Sequence, residues 1–350
     1  MTRTNELKYT SVEICAGAGG QAVGLHNAGF KHAALIEIDK DACQTLRQNI
    51  ARHSEWDGCQ VIEADLNEFP SAQLAIPRGT LDLLAGGVPC PPFSAAGKQL
   101  GEDDERNLFP AMFRLVDELH PKAVMIENVR GLLDPKFSDY RARIVQDFER
   151  QGYEVCYWDL LEAKDYGVPQ LRPRAILVAM QPEYAKYFQH HKPEPRELVT
   201  VGQALHDSMR ARYDAVDDPR ADWAFKRWYE KALEGVAPTV VGGSKKHGGA
   251  DLGPTRAKRA WAELGVCGLG IANEPEDTKD VERDLFAPVG PKLTVTQAAL
   301  IQGFPEDWKF SGRKTAAYRQ VGNAFPPPVA QAVGEQIYAA FEAAAEAEGL

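Results

Sequence analysis

Short apolar runs alternate with amphipathic stretches through the first half of this 350-residue chain. The runs "SVEICAG", "HAALIEID", "CQVIEADL", "LDLLAGG" and "KAVMIENV" are compact and bounded by turn residues, and each predicts a strand. Between them, "GQAVGLHNAGF", "KDACQTLRQNI" and the stretch from about Asn107 to Leu119 carry helical spacing. A helix around Tyr140–Gln151 leads to "YEVCYWDL" and "RAILVAM", two further strands. Such alternation predicts an α/β fold built on a doubly wound, mostly parallel sheet.

The pattern breaks after Met180. Residues from about 181 to 288 are rich in Gly, Pro and mixed charge ("KPEPRE", "VVGGSKKHGG", "NEPEDTKD") and predict a second, smaller, irregular domain. Order returns with "KLTVTQAALIQGF" and a last helix from about Val329, whose closing Ala/Glu tract reads as a frayed end. The expected organisation is therefore 1–180, then 181–288, then 289–350 returning to the first domain.

Charge changes this picture only locally. With 40 Lys and Arg against 50 Asp and Glu, the net charge is −10, opposite to the usual footprint of a nucleic-acid binder. Within "GGSKKHGGADLGPTRAKRAW", however, Lys245, Lys246, Arg256, Lys258 and Arg259 face the single acid Asp251. A solvated loop has the same composition. The six cysteines show no C-x-x-C spacing and no His pair falls at metal-ligand intervals, so reduced thiols and no metal site are expected. No apolar run is long enough to span a bilayer and "MTRTNELKYTSVEICAG" lacks a signal-peptide core, so an intracellular protein is expected.

Cys90 stands apart from the other thiols. In "GGVPCPPFSAAGKQLG" it sits between prolines, which exclude it from a helix or central strand and hold it in a stiff extended segment at the end of an element. Other chemistry falls at matching places. "EICAGAGGQAVGL" puts Gly17, Gly19 and Gly20 in a tight turn opening a helix, and Glu37 ends the next strand. Asp65 follows the third strand, and Glu127 with Asn128 ends the fifth. Ligands of open α/β sheets bind outside the carboxyl ends of the strands, where all of these lie. "YGVPQLRPRAIL" adds Arg172 and Arg174 on one face of a strand entrance, as ion-pair partners or as ligands of a carbonyl oxygen. A nicotinamide dehydrogenase would share the glycine turn, but "GAGGQA" does not match G-x-G-x-x-G and no hydride-transfer partner is evident.

Taken in order, "EICAGAGG", "EID", "ADL", "GGVPCPPFSAAGK", "RNLF", "IENVRGLL", "YGVPQLRPR", "KLTVTQAALIQGFP" and "YRQVGNAFPPPVA" resemble the motifs of the compact bacterial DNA (cytosine-5) methyltransferases, over about two-thirds of the chain. The resemblance implies an S-adenosylmethionine-dependent, Rossmann-like methyltransferase fold that releases S-adenosylhomocysteine. Ala16, Gly17, Gly19, Gly20, Glu37, Ile38, Asp65, Pro89 and Asn323 would hold the cofactor, with Glu37 on ribose and Asp65 on adenine. Cys90 would attack C6 of a flipped-out cytosine, Glu127 would bind N3 and the exocyclic amine, and Arg174 would contact O2 and orient Glu127. Arg172 would give support or a phosphate contact. Residues 181–288 would form the target-recognition domain, with Lys245, Lys246, Arg256, Lys258 and Arg259 on duplex DNA beside Gly97, Lys98 and Gln99 of the loop after Cys90. The implied protein is a cytoplasmic, nucleoid-associated bacterial monomer. It would pair functionally with a restriction endonuclease, without a stable complex.

The chain departs from the family at Cys15, where Phe is usual, and at Ile38, where an aromatic is sometimes found. Two alternatives lie close to this family. A tRNA cytosine-5 methyltransferase would usually carry Cys-Phe-Thr beyond the Glu-Asn-Val strand, which is lacking here. A non-catalytic DNA-binding relative would be expected to lose Cys90 or the Glu-Asn-Val triplet, and both are present.

Overall fold

The computed structural model describes residues 7–89, 107–194, 197–242 and 250–349, in two compact units. The first comprises residues 1–161, 173–192 and 329–350, and the second 162–172 and 193–328. By compactness, then, residues 289–328 go with the middle segment, and 329–350 with the first unit.

Seven strands form the sheet of the first unit: β1 (Tyr9–Ile14), β2 (Phe30–Glu37), β3 (Gln60–Glu63), β4 (Leu83–Gly87), β5 (Ala123–Val129), β6 (Glu154–Glu162) and β7 (Pro173–Met180). Their order is β3-β2-β1-β4-β5-β7-β6. The pairs β1–β2, β1–β4, β2–β3 and β4–β5 are parallel, whereas β7 runs antiparallel to β5. The chain order reverses between β1 and β4, the switch point at which such sheets open a crevice. Helices α1 (Gly20–Asn27), α2 (Lys40–Ile50), α3 (Phe109–Leu119) and α4 (Ser138–Arg150) connect the strands.

Local chemistry accounts for these elements. Asp39 caps α2 by accepting from the Ala42 amide at 3.1 Å, with Asp41 in the positive first turn. Pro110 opens α3, which turns Met112, Leu115, Val116 and Leu119 into the core. β7 is apolar and buried from Ala175 to Met180, as a strand covered on both faces must be. Gly86 in β4 has no alternative, because a Cβ there would stand 2.4 Å from the Ile14 carbonyl oxygen.

A short α5 (Pro182–Ala185) follows β7. The second unit is helical: α6 (Val201–Asp214), α7 (Ala221–Ala232), α8 (Thr255–Glu263), α9 (Val281–Leu285), α10 (Val295–Gln302) and α11 (Lys314–Asn323). The middle segment expected to be irregular, 181–288, thus carries the helices α5 to α9 between long non-helical stretches. Thr200 and Gln203 form a capping box at the start of α6, as Thr294 and Gln297 do at α10. Buried Arg212 joins α6 to α10, donating to Gln297 Oε1 and the Lys292 carbonyl, each at 2.7 Å. The last helix, α12 (Pro327–Glu348), returns to the first unit from Val329 onward. Its Tyr338 and Phe341 rings lie 5.0 Å from Tyr9, and Gly334 brings it against Ala28 and Leu25. The closing Ala/Glu tract is ordered helix, with Ala340, Phe341 and Ala344 buried. Among the described residues, no helix is long and apolar enough to cross a membrane.

Candidate active site

Sheet register brings the sequence candidates of the first unit to one edge. Ile14 stands opposite Gly86, Glu37 opposite Glu63, and Gly87 opposite Glu127, so the loops after β1, β2, β4 and β5 leave side by side. After β1 the chain turns sharply: Cys15, Gly17 and Gly19 take φ of 51°, 55° and 89°. A non-glycine residue at positive φ is strained, and here the strain sits in a loop facing the crevice. The Glu37 carboxylate holds this turn, accepting from the Gly17 amide at 2.7 Å on one oxygen and from Ile38 and Asp39 at 2.9 and 2.8 Å on the other. Ala16, Gly19 and Gly20 are buried in the turn. No side chain caps the N-terminus of α1. Its amides and positive dipole end are therefore available to an anion. Asp65 is half-buried and accepts from the Asn67 amide at 2.9 Å, while Ile38 is 63% exposed beside Glu37.

Glu127 and Arg174 form a close ion pair at this edge, Nε to Oε1 at 2.6 Å, each side chain 13% exposed. In the antiparallel register Glu127 faces Ile176, two residues along from Arg174, so the pair is the diagonal contact that adjacent strands allow. Arg174 also donates to the Pro173 carbonyl at 2.8 Å. A Cβ on Gly87 would stand 3.2 Å from Glu127 Oε2, so the glycine keeps that face of the carboxylate open.

Asn128 is the residue whose importance the sequence understates. It is buried, its Nδ2 donates to the Val88 carbonyl at 2.7 Å, and its Oδ1 accepts from the Val129 amide at 2.8 Å. It thereby fixes the last peptide before exposed Pro89. Cys90, Gly97, Lys98 and Gln99 lie outside the described residues, as do Lys245 and Lys246. Glu13, in β1, is a second group that no motif singles out. It is fully buried, and burial first, then the Glu37 charge, hold its carboxyl well above the usual range.

The remaining candidates belong to the second unit. Arg172 is 1% exposed and donates to the carbonyls of Val240, Gly322 and Ala324 at 2.7–2.8 Å. A guanidinium so enclosed serves as support, and the phosphate contact considered for it is corrected. Gln170 and Gln302 extend the cage: Gln170 accepts from the Val240 amide and donates to the Ile301 carbonyl, and Gln302 donates to the Ala324 carbonyl. Asn323 is exposed at the end of α11. On α8, Arg256 and Arg259 are exposed, whereas Lys258 is tied to Asp251 at 2.7 Å.

The described residues contain no cluster of His, Cys, Asp and Glu that would hold a metal ion. Five of the six cysteines are described, and none is disulfide-bonded. Burial pushes the thiols of Cys15, Cys43 and Cys59 up to about 12, and that of Cys156 up to about 11. At Cys15 the charges of Glu37, Glu13 and Asp65 add to it.

The sequence profile of C-5 cytosine-specific DNA methylases matches residues 9–339. The chain belongs to this family. It is 50% identical over 331 residues to the Type II methyltransferase M.NaeI of Lentzea aerocolonigenes, covering 94% of this chain and 74% of that protein. To the Type II methyltransferase M.NgoMIV of Neisseria gonorrhoeae it is 48% identical over 341 residues, covering 96% and 99%. In fold it resembles a crystal structure of a Spodoptera frugiperda DNMT2 variant, with a TM-score of 0.62 and 16% identity over 95% of this chain and all of that one. The strand order, the acidic strand tips and the Glu127–Arg174 pair thus sit in a cytosine-5 DNA methylase.

Proposed function

We propose that the protein transfers a methyl group from S-adenosylmethionine to C5 of a flipped-out cytosine in a specific duplex sequence, as the modification enzyme of a Type II restriction-modification system. The observation that carries this reading is the Glu127–Arg174 pair, whose Glu127 lies on β5, next to the strand that precedes Pro89 and Cys90 in the chain.

The residues of the β1–β2 edge suit the cofactor. The uncapped N-terminus of α1 is complementary to an amino-acid carboxylate. Glu37 already accepts three amide protons, and a carboxylate retains acceptor capacity for a ribose hydroxyl. Exposed Ile38 offers an apolar surface to a base, and half-buried Asp65 an acceptor for an exocyclic amine. Bound there, the cofactor supplies an electrophilic methyl on a sulfonium that departs as a neutral thioether.

The chain's own groups activate the pyrimidine. The Cys90 thiolate adds to C6, and the C5–C6 π electrons become available at C5 to form the bond to the methyl carbon. The Glu127 carboxyl meets the N3 edge and the exocyclic amine and stabilises the charge developing on the ring, while Arg174 orients it and contacts O2. A base then takes the C5 proton, the double bond re-forms, and the Cys90–C6 bond breaks to return the thiolate. The target must leave the stack for this chemistry, at a cost of about a few kcal/mol.

The test is incubation of the protein with labelled S-adenosylmethionine and plasmid DNA, followed by bisulfite sequencing, with tRNA as a parallel arm. Methyl label at C5 of cytosines in one recurring duplex sequence is expected. A duplex with 5-fluorocytosine at that position should yield a denaturation-resistant adduct, absent with Cys90→Ser. Label on tRNA alone, or normal turnover by Cys90→Ser, overturns the reading.

A further inference from the structure

We propose that the cavity between α7 and the chain at 285–290 is a binding site for a small carboxylate with a branched aliphatic body. The site lies wholly within the second unit and does not depend on the methyl-transfer reading. Its volume is about 100 Å³. A cavity of about 150 Å³ holds benzene, so this one takes a single small apolar group.

The polar groups of the cavity are donors. Among the described residues, no Asp or Glu lines it. Trp228 is 2% exposed, and its indole N–H has no hydrogen-bond partner among them. A buried donor left unpaired is costly, and an incoming acceptor relieves that cost. Cδ1, the atom beside that nitrogen, lies 3.5 Å from where a Cβ on Gly265 would stand, and Cβ and Cδ of Lys231 lie 3.3 Å from the same point. Any side chain at 265 would therefore crowd the indole edge, and the φ of 72° there also favours glycine.

The cations beside this donor are uncommitted. Arg227 and Lys231, four residues apart on one face of α7, form no ion pair with a described residue. The Arg227 guanidinium stands 5.3 Å from the Trp223 ring centroid and donates to the Pro288 carbonyl at 3.5 Å, which leaves it further donors. Arg220, also on the lining, is held by Asp218 and Glu282 and is not counted. Opposite the donors stand buried Leu285, half-buried Phe286 and Val289, the last 40% exposed. Donors on one wall and apolar surface on the other match a carboxylate head on an aliphatic body. A free short-chain acid and the C-terminal residue of a peptide both present that chemistry.

The experiment titrates 4-methylpentanoate into the full-length protein carrying ¹⁵N-labelled indoles, with the Trp228 resonance identified by its loss in Trp228→Phe. The Trp228 indole N–H should move downfield with a Kd of about 1 mM. The isosteric 4-methylpentanamide should bind at least about tenfold more weakly, because only the acid makes charge-assisted hydrogen bonds. Arg227→Gln, at an exposed position, should weaken the acid by about tenfold and the amide by less than about twofold. Ala224→Leu, which fills the cavity from α7, should abolish the response to both. An acetylated glycyl-leucine that binds more tightly than the free acid assigns the site to peptide C-termini, and one that binds more weakly assigns it to free acids. No movement of the resonance up to about 20 mM acid overturns the proposal. So does equal binding of the amide, an equal response to inorganic phosphate, or an Arg227→Gln affinity equal to wild type. The methyltransferase reading stands in each of these cases.

Discussion

Substituting Asn128 by aspartate isolates one hydrogen bond of the active-site edge. The two side chains are nearly isosteric, so the Oδ1 bond to the Val129 amide, 2.8 Å, survives. The Nδ2 bond to the Val88 carbonyl, 2.7 Å, becomes an oxygen facing an oxygen. Asn128 is 6% exposed, so water does not readily replace the donor. Leaving a buried polar group unpaired costs about 1–3 kcal/mol. If the position of the Val88–Pro89 peptide governs the delivery of Cys90, the same energy appears as a roughly 5- to 150-fold fall in kcat, with the KM for cofactor little changed. The introduced carboxyl can repair the defect by taking up a proton, because the neutral acid is a donor again. Its pKa is therefore raised in the folded protein, and the stability it contributes is present at low pH and lost as pH rises through that raised value. The ratio of variant to wild-type turnover should climb as the buffer goes from pH 8 towards pH 6. A variant as active and as thermostable as wild type at pH 8 would refute the argument, and so would a deficit that does not respond to pH.

Two further outcomes follow from buried groups. His32 accepts from the Ser11 hydroxyl on Nδ1 and donates to the Ala22 carbonyl through Nε2, each at 2.9 Å, and burial lowers its pKa to about 3. The unfolded chain takes up this proton near pH 6.5 and the folded one does not, so stability is lost as pH falls. Urea unfolding should lose about 2 kcal/mol from this residue between pH 7 and pH 5, and His32→Gln should flatten that part of the profile. Arg172→Met leaves three buried carbonyls without their donor and should lower Tm by roughly 10 °C. A Tm within about two degrees of wild type would refute the supporting role of Arg172.

Much of the fold was legible because a sheet covered on both faces writes itself as apolar runs. The strands from Tyr9–Ile14 to Pro173–Met180 fall where those runs predict, and the acidic tips follow from where the runs stop. The antiparallel course of β7 was not legible, since a buried strand has the same composition in either direction. The helices of the second unit were missed for a different reason. The buried face of α6 is Val201, Leu205, Met209, Arg212 and Tyr213, and a charge at the fourth place breaks the apolar spacing. The Thr200–Gln203 capping box is a usable signal for the start of α6, set among glycines and prolines that point the other way. At the active site, Glu127 and Arg174 could be named from their motifs, but their diagonal contact depends on strand register. Asn128 could not be ranked as a support because its partner is a backbone carbonyl on another strand.

The state of the described thiols makes the protein a convenient object for chemistry on sulfur. With Cys15, Cys43 and Cys59 raised to about 12, Cys156 to about 11, and Cys267 enclosed, the background to an alkylating reagent at neutral pH is quiet. A chloroacetamide dye that labels one site per chain within minutes will have found Cys90, with no need to delete the others. Protection of that site by substrate DNA would then report binding directly, turning the proposed nucleophile into its own sensor.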